Sequence, residues 1–457
     1  MQLVTGFCPC WAHCGRLAIS LFLSSILVFT CVLAQAQDDT SGIRTLESGL
    51  AKAAAATHAC TGGLTIKDNH VIAATVLDEI TGYAKEAGTT GGLGGELIDV
   101  TNAQDYDPDK KEPVIPGSLR EAVERARRSN KPKWIVFRVP KITLKAPVRL
   151  PDNTTLDGAC SHVLLESPVN VGQVYVFSTR NVIIHRITFH KTNYESKADE
   201  GDAESCIRLN GLFDRVAILH NSLSECGDGC IDITTSPRKP LPGQARVTVA
   251  FNRIEKHDKT MLFGTFTCGE RGTPLCDDAY FKANRDAPPA FQITLLGNLF
   301  IRTAQRHPRV FGHVMADVVN NVFAIAAMRR ADGSFSDAYS IFVSNAARAL
   351  VEENAFVPLS KKWGRHRAVW TTTTPGASKM PEDTLGFIRL KDNIATSNVV
   401  MAESEPAAVP TPGYRRDLRV LPFHRMKPED AVACVAARAG VEGVTAWNEK
   451  LCAPTQP

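Results

Sequence analysis

The chain has 457 residues, of which 44% are hydrophobic and 22% charged. That is long enough to bury a large core and too apolar for extended disorder. A formal net charge of +4 excludes strong steering of an acidic partner by the molecule as a whole, so such attraction must come from a local patch.

The N-terminus reads as a targeting segment. Arg16 precedes the apolar run "LAISLFLSSILVFTCVLA", and "AQA" closes at Ala36. This is the pattern of a secretory leader, residues 1–36, with an A-x-A cleavage site. An N-terminal membrane anchor is the alternative. Residues 37–57 read as a polar lead with a short helix, and residues 58–457 as one large domain with a helix-containing C-terminal extension. Of 13 cysteines, Cys8, Cys10, Cys14 and Cys31 precede the cleavage site, which leaves an odd number in the mature chain. Export permits disulfides. Cys268 with Cys276 and Cys434 with Cys452 are candidate local pairs, although sequence does not fix connectivity. The mature chain has no C-x-x-C, which argues against a zinc ribbon or a thioredoxin-type site.

Downstream of the lead, "TTGGLGGE" from Thr89 lacks the Gly-Lys-Ser/Thr ending of a phosphate loop and reads as tight turns. "GSLREAVERARRS" from Gly117 predicts a helix, with Ser118 as N-cap and Glu121 three residues on. From Trp134 onward the chain breaks into short runs of Val, Ile, Leu and Phe, such as "NVIIHRITF", "RVAILHNSL" and "RVTVAFNRI", each predicted as a strand. Near the C-terminus "KPEDAVACVAARAG" predicts a second helix, closed by Gly440.

A repeat runs through the strands. Each copy ends in Asn, one variable residue and an apolar residue: Asn221-Ser-Leu, Asn252-Arg-Ile, Asn298-Leu-Phe, Asn321-Val-Phe and Asn354-Ala-Phe. Neighbouring copies lie 23 to 46 residues apart, the longest gap holding an insertion between Cys268 and Pro289. One coil per few tens of residues is the mark of a solenoid. Asn corners suit a parallel β-helix, because Asn tolerates left-handed angles and can stack its amide on the next coil. The two helices are candidate caps for the end coils. A β-sandwich or barrel with coincidental Asn turns is the alternative.

The chemistry gathers in three stretches. In "ECGDGCIDITTS", Asp228 and Asp232 share a face if the segment is extended. Adjacent carboxylates repel, and a hard divalent ion such as calcium resolves the conflict. Further oxygen ligands are available upstream in "ADEGDAESCIRL", from Asp199, Glu200, Asp202 and Glu204. One coil later "EKHDKTMLFG" offers His257 and Lys259, two apart. The coil after that, "AQRHPRV", offers Arg306 and Arg309. Stacked coils would set an acidic metal site beside a strip of cations, a groove suited to a polyanion bearing carboxylates. Solvated turn acids and ordinary surface charges are the plainer readings of the same residues.

In their order and spacing these stretches resemble the pectate lyases of polysaccharide lyase family 1. The resemblance runs from "EAGTTGGLGGELIDVTN" through "PGSLREAV", "NTTLDGA", "DGCIDI", "VTVAFNRIEKHDKTMLFG" and "QRHPRV" to "VVNNVF". It implies an all-β, right-handed parallel β-helix that cleaves de-esterified homogalacturonan by β-elimination using calcium. It also implies Asp228 and Asp232 as calcium ligands, with Asp202 and Glu204 as further candidates. Lys259 and Arg309 would bind substrate, with His257 beside them, and Arg306 would be the catalytic base. The partner would be an acidic polysaccharide, polygalacturonate or pectin, and not nucleic acid. The mature protein would be a secreted monomer with no stable membrane association.

Three departures from the family pattern stand out. Counted back from Ile207, the positions of the usual upstream D-x-D hold Ser205 and Ala203, with Asp202 and Glu204 displaced by one. Phe311 takes the last Arg position of R-x-P-R-x-R-x-G, or one residue is deleted before Gly312. "VAILHN" replaces W-I-D-H. A pectin lyase acting on methylated substrate without calcium is the nearest rival, disfavoured by Asp228, Asp232 and Lys259. A β-helix glycoside hydrolase would leave Lys259 and Arg306 without a purpose. A noncatalytic polyuronate-binding β-helix is the alternative of a different class.

Overall fold

The computed structural model describes residues 63–194, 203–235, 245–265, 288–326, 339–357, 359, 366–372, 385–395, 399–416 and 426–441. The chain divides into two compact units, Met1–Thr57 and His58–Pro457. The expected leader and lead segment lie outside the described residues, as do Asp202, Cys268, Cys276 and Cys452. Among the described residues no helix is long and apolar enough to cross a membrane.

The second unit is a parallel β-helix. Among the described residues its strands fall into three sheets, one of twelve strands and two of nine. Among the described strands pairing is parallel, apart from the antiparallel start, where Leu64–Lys67, His70–Ala74 and Glu96–Val100 meet, and isolated antiparallel bridges from Ser344 to Leu385 and from Ile388 to Ser404. Long runs predicted as single strands divide at a corner, at Asn in most coils and at Arg186, φ 52°, in "NVIIHRITF". "RVAILHNSL", for example, gives the ends of Asp214–Leu219 in one sheet and Ser222–Ser224 in another.

Period-two alternation explains the stacking. Val182, Val216, Val247, Ile293, Ala316 and Ala349 occupy one register, one per coil. All six are fully buried, forming one wall of a continuous apolar column. Phe300, Phe323 and Phe356 stack on another wall, with ring centroids 5.0 and 4.8 Å apart.

The asparagine repeat forms a ladder. Nδ2 of Asn221 donates to Oδ1 of Asn252, and the same bond is repeated from Asn252 to Asn298, Asn321, Asn354 and Asn393, at 2.9–3.0 Å each. Asn393 extends the series beyond the copies predicted. The left-handed angle falls one residue before each rung: His220, Phe251, Gly297, Asn320, Glu353 and Asp392 all have φ between 50° and 62°. The preceding residue turns the corner, which frees the Asn side chain to reach the next coil. A left-handed non-glycine residue costs about 1–2 kcal/mol, so the buried amide bonds offset a recurring strain.

The predicted helices form at Leu119–Ser129 and Pro428–Arg438. The Glu121 N–H donates to the Ser118 hydroxyl at 3.2 Å, and Leu119, Ala122 and Val123 close the start of the apolar column with Ile98 and Val100. The second helix lays Val435 and the adjoining Ala439 on Leu299, Val322 and Ala355.

Candidate active site

One nine-stranded sheet carries the candidate residues. In the Ile231–Thr235 strand, Ile231 and Ile233 point into the core, so Asp232 points out of the solenoid. Register then assembles an outward row across successive coils: Arg149, Tyr175, Arg208, Asp232, Leu262, Arg309 and Phe342. With strands about 4.8 Å apart, Asp232 and Arg309 stand about 10 Å apart along this row.

Asp232 is nearly buried at 7% exposure. Its Oδ2 accepts from the Ser205 hydroxyl at 2.6 Å, and its Oδ1 accepts from the Leu262 N–H at 3.0 Å. Burial first, then repulsion from Asp228, pushes its carboxyl up to about 7, while Ser205, Arg306 and Arg208 pull the other way. The Arg306 carbonyl accepts from the Met261 N–H at 2.8 Å, and Met261 pairs with Ile231 in the next strand, so Arg306 lies on the same side of the molecule as Asp228 and Asp232.

Asp228 is exposed on a bend just before the strand. Two glycines make that bend possible. Gly227 has φ 75°, and a Cβ there would come within 2.6 Å of the Glu204 carbonyl oxygen. A Cβ on Gly229 would fall 2.3 Å from Asp232 Oδ2, so glycine leaves the carboxylate its space. A disulfide from Cys206 to Cys226 ties this bend to the strand that follows Ser205. Among the described residues, Cys434 is also disulfide-bonded and Cys230 is a buried free thiol.

His257 and Lys259 are not on a strand. "HDKT" is a turn ahead of the Met261–Thr265 strand, and it stitches two loops together. His257 is 1% exposed. Its Nδ1 accepts from the Cys226 N–H at 3.3 Å and its Nε2 donates to the Asp228 carbonyl at 2.8 Å. Burial holds its pKa below the usual range. His257 thus positions the Asp228 bend from beneath instead of facing substrate. Buried Asp258 accepts from the Gln305 amide at 3.1 Å, and the Thr260 hydroxyl donates to the Arg306 carbonyl. Lys259 pairs with Gln305 in an isolated parallel bridge and stays half-buried.

Arg306 adopts a left-handed φ of 62° ahead of the cis His307–Pro308 bond. Such conformations concentrate at functional sites. Buried His307 anchors the loop: Nδ1 donates to the Tyr339 carbonyl at 3.0 Å, and Nε2 accepts from the Thr303 hydroxyl at 2.8 Å. The Arg306 Nε is buried without a hydrogen-bond partner among the described residues. Arg309 packs between the rings of Phe311 and Phe342, at 5.7 and 5.6 Å from their centroids.

Of the two expected upstream acids, only Glu204 is among the described residues. Glu204 Oε2 accepts from the Tyr175 hydroxyl at 2.6 Å and lies 3.3 Å from Arg208 Nη1. Its carboxylate is engaged there, and not with the Asp228–Asp232 pair. Among the described residues no group of three His, Cys, Asp or Glu side chains could hold a metal. The donors that remain are Asp228, Asp232 and the Ser205 hydroxyl. All are oxygen, and the mutual repulsion that raises Asp232 is what a hard cation would relieve. They fit calcium as a partial set, to be completed by water and an acidic ligand.

Comparison with known proteins follows this geometry. The family model described as pectate lyase matches residues 53–365. The chain belongs to the pectate lyase family. Probable pectate lyase 6 of Arabidopsis thaliana is 31% identical over 258 residues, 53% of this chain and 48% of that protein. Pectate lyase 1 of Juniperus virginiana is 30% identical over 253 residues, 51% of this chain and 58% of that one. The chain thus spans about half the length of these relatives. The crystal structure of jun a 1, the major allergen from cedar pollen, aligns with a TM-score of 0.57 at 21% identity. It covers 81% of this chain and 94% of that one, and shares the fold.

Within the family pattern, Phe311 is the informative departure. It is 6% exposed, and a Cβ on Gly264 would collide with its ring. The ring fills space above glycine and buttresses Arg309, so it is a packing residue. Arg208, Tyr175, His307 and Tyr339 were not singled out in the sequence. The alternation Ile207–Arg208–Leu209 was signal enough for Arg208, since two buried aliphatics force the residue between them outward.

Proposed function

We propose that the protein is an exported, calcium-dependent pectate lyase that cleaves de-esterified homogalacturonan by β-elimination. The observation that carries this reading is the convergence on Asp232 of an acidic neighbour, Asp228, and a distant-in-sequence cation, Arg306. The half-buried Lys259 lies on the coil between them. The Cys206–Cys226 disulfide agrees with export.

Lys259 and Arg309 receive uronate carboxylates and fix the sugar over the sheet. Calcium held by Asp228 and Asp232 would add positive charge at the carboxylate next to C5, where enolate-like charge develops. Arg306, in its neutral form, removes the C5 proton. The C–H electron pair becomes the C4–C5 double bond, the C4–O bond breaks, and the departing oxygen is protonated by water. The orphaned Arg306 Nε supplies a donor whose partner would be the substrate. Guanidinium groups deprotonate only above about pH 12, so the rate climbs toward alkaline pH.

The test is polygalacturonate with calcium and purified protein. The expected product absorbs in the ultraviolet as a 4,5-unsaturated uronate, chelator stops its formation, and Arg306→Ala loses most of it. Full activity in Arg306→Ala would remove the base. Preference for highly methylated pectin, unaffected by chelator, would remove the pectate assignment.

A further inference from the structure

A groove of about 530 Å³ opens on the same sheet, upstream of the site, lined by Arg127, Arg149, Tyr175, Phe177, Arg208 and Asn210. Arg149, Tyr175 and Arg208 continue the outward row that carries Asp232, so the groove is the N-terminal extension of that row. Its composition is specific. Three guanidiniums face it, and Arg127 reaches it from the Leu119–Ser129 helix, held by a 2.7 Å bond to the Arg149 carbonyl. Phe177 presents its ring at 61% exposure, unusual for a large apolar side chain in this protein. Tyr175 and Arg208 share Glu204 as a partner, which fixes their spacing without filling the groove.

Guanidiniums take carboxylates in a two-pronged fashion, and an exposed ring offers an apolar platform to the C–H face of a sugar. Phosphate-bearing ligands would also use the arginines. However, Arg208 stands beside Asp232 in the parallel register of adjacent strands, so a ligand running along the row passes directly into the candidate reaction centre. That continuity favours the polymer already assigned to the centre. We propose that this groove is a binding region for several consecutive uronate residues, extending the substrate path toward the N-terminal coils. Arg149 and Arg208 take carboxylates, and Phe177 takes a sugar face. The inference rests on the polygalacturonate reading of the neighbouring site and adds the residues that would make affinity depend on chain length.

The experiment measures binding with the Arg306→Ala protein, so that ligand is not consumed. Long oligogalacturonates, a short oligomer and a fully methyl-esterified long oligomer are titrated calorimetrically, with and without Arg149→Gln and Phe177→Ala together. Both groove positions are exposed, and an unchanged melting temperature confirms folding. The expected result is a loss of about tenfold or more in affinity for the long oligomer. The short oligomer should be unaffected, and the methylated oligomer weak throughout. Arg149→Glu should lower long-oligomer affinity further. Unchanged long-oligomer affinity, or equal losses for long and short ligands, would overturn the proposal. Equally strong, groove-dependent binding of RNA or of a sulfated polymer would overturn the uronate assignment. If the wild type proves inactive while groove-dependent uronate binding persists, the lyase reading fails and the groove stands.

Discussion

His257 donates from Nε2 to the backbone carbonyl of Asp228 at 2.8 Å, across 29 residues of sequence. The imidazole also accepts from the Cys226 N–H through Nδ1. Both ring nitrogens are therefore used within the protein, and their roles define a neutral tautomer. His257→Ala should loosen the Asp228 bend without removing a ligand. The expected outcome is calcium affinity down by about tenfold, with polygalacturonate affinity in the absence of calcium unchanged. Parallel titrations of metal and polymer check this. Equal losses of both would mean that the imidazole faces substrate after all.

Ser205 stands where the family pattern has an upstream carboxylate, and its hydroxyl donates to Asp232 Oδ2 at 2.6 Å. That bond favours the charged carboxylate and opposes the upward push of burial and Asp228. Ser205→Ala should raise the Asp232 carboxyl beyond about 7. Calcium binding would then need a higher pH. The check is calcium affinity across pH 5 to 9, where the midpoint should move alkaline in the variant. An unmoved midpoint would show that the hydroxyl does not act on the carboxylate.

Stability should fall in mild acid. Burial lowers the pKa of His220, His257 and His307, the last to about 3. An unfolded histidine titrates near 6.5. Below that pH the unfolded chain takes up protons that the folded chain refuses, so each such group removes up to about 1.4 kcal/mol per pH unit. Asp232 acts with the opposite sign. Its raised carboxyl contributes stability below its unfolded value, and that contribution is lost as pH rises through about 7. His313 is lowered too, as are the carboxyls of Glu79 and Asp157, so the balance against Asp232 predicts a melting temperature that drops between pH 6.5 and 4 without metal. Differential scanning calorimetry over that range measures it.

The solenoid was legible because it depends on a rule that a single sequence displays. An amide ladder needs Asn at every coil, and Asn221, Asn252, Asn298, Asn321 and Asn354 supply it. The outward face of Asp232 was legible from Ile231 and Ile233 on either side. Parity did not carry over to His257 and Lys259, because this turn has no two-residue period, and His257, expected beside the substrate-binding residues, is buried. The fate of Glu204 depended on Tyr175 and Arg208, and only register brings Tyr175 alongside. The Cys206–Cys226 disulfide joins neighbouring coils 20 residues apart, a pairing that cysteine spacing alone does not select.

The ladder itself can be tested by position. Asn298 Oδ1 accepts from both the backbone N–H and the side-chain amide of Asn252. Its Nδ2 donates to Val249, Leu296 and Asn321. Asn298→Ala leaves several buried groups unsatisfied and should destabilise by about 3 kcal/mol or more. Asn393 is the last rung among the described residues and is half-buried, so Asn393→Ala should cost clearly less. Urea unfolding of the two variants compares them directly.

Restoring the family's arginine at position 311 should harm the protein. The Phe311 ring lies buried over Gly264 and against the Arg309 guanidinium, 5.7 Å from its centroid. Phe311→Arg would place a charge where there is no room for solvent and remove one face of the Arg309 sandwich. Two guanidiniums would then compete for one apolar slot. The expected outcome is a stability loss of about 2 kcal/mol or more and weaker substrate binding through a displaced Arg309. Melting temperature and KM on polygalacturonate report the two effects separately. A variant that is equally stable and binds more tightly would show that Phe311 blocks a substrate contact instead of supporting one.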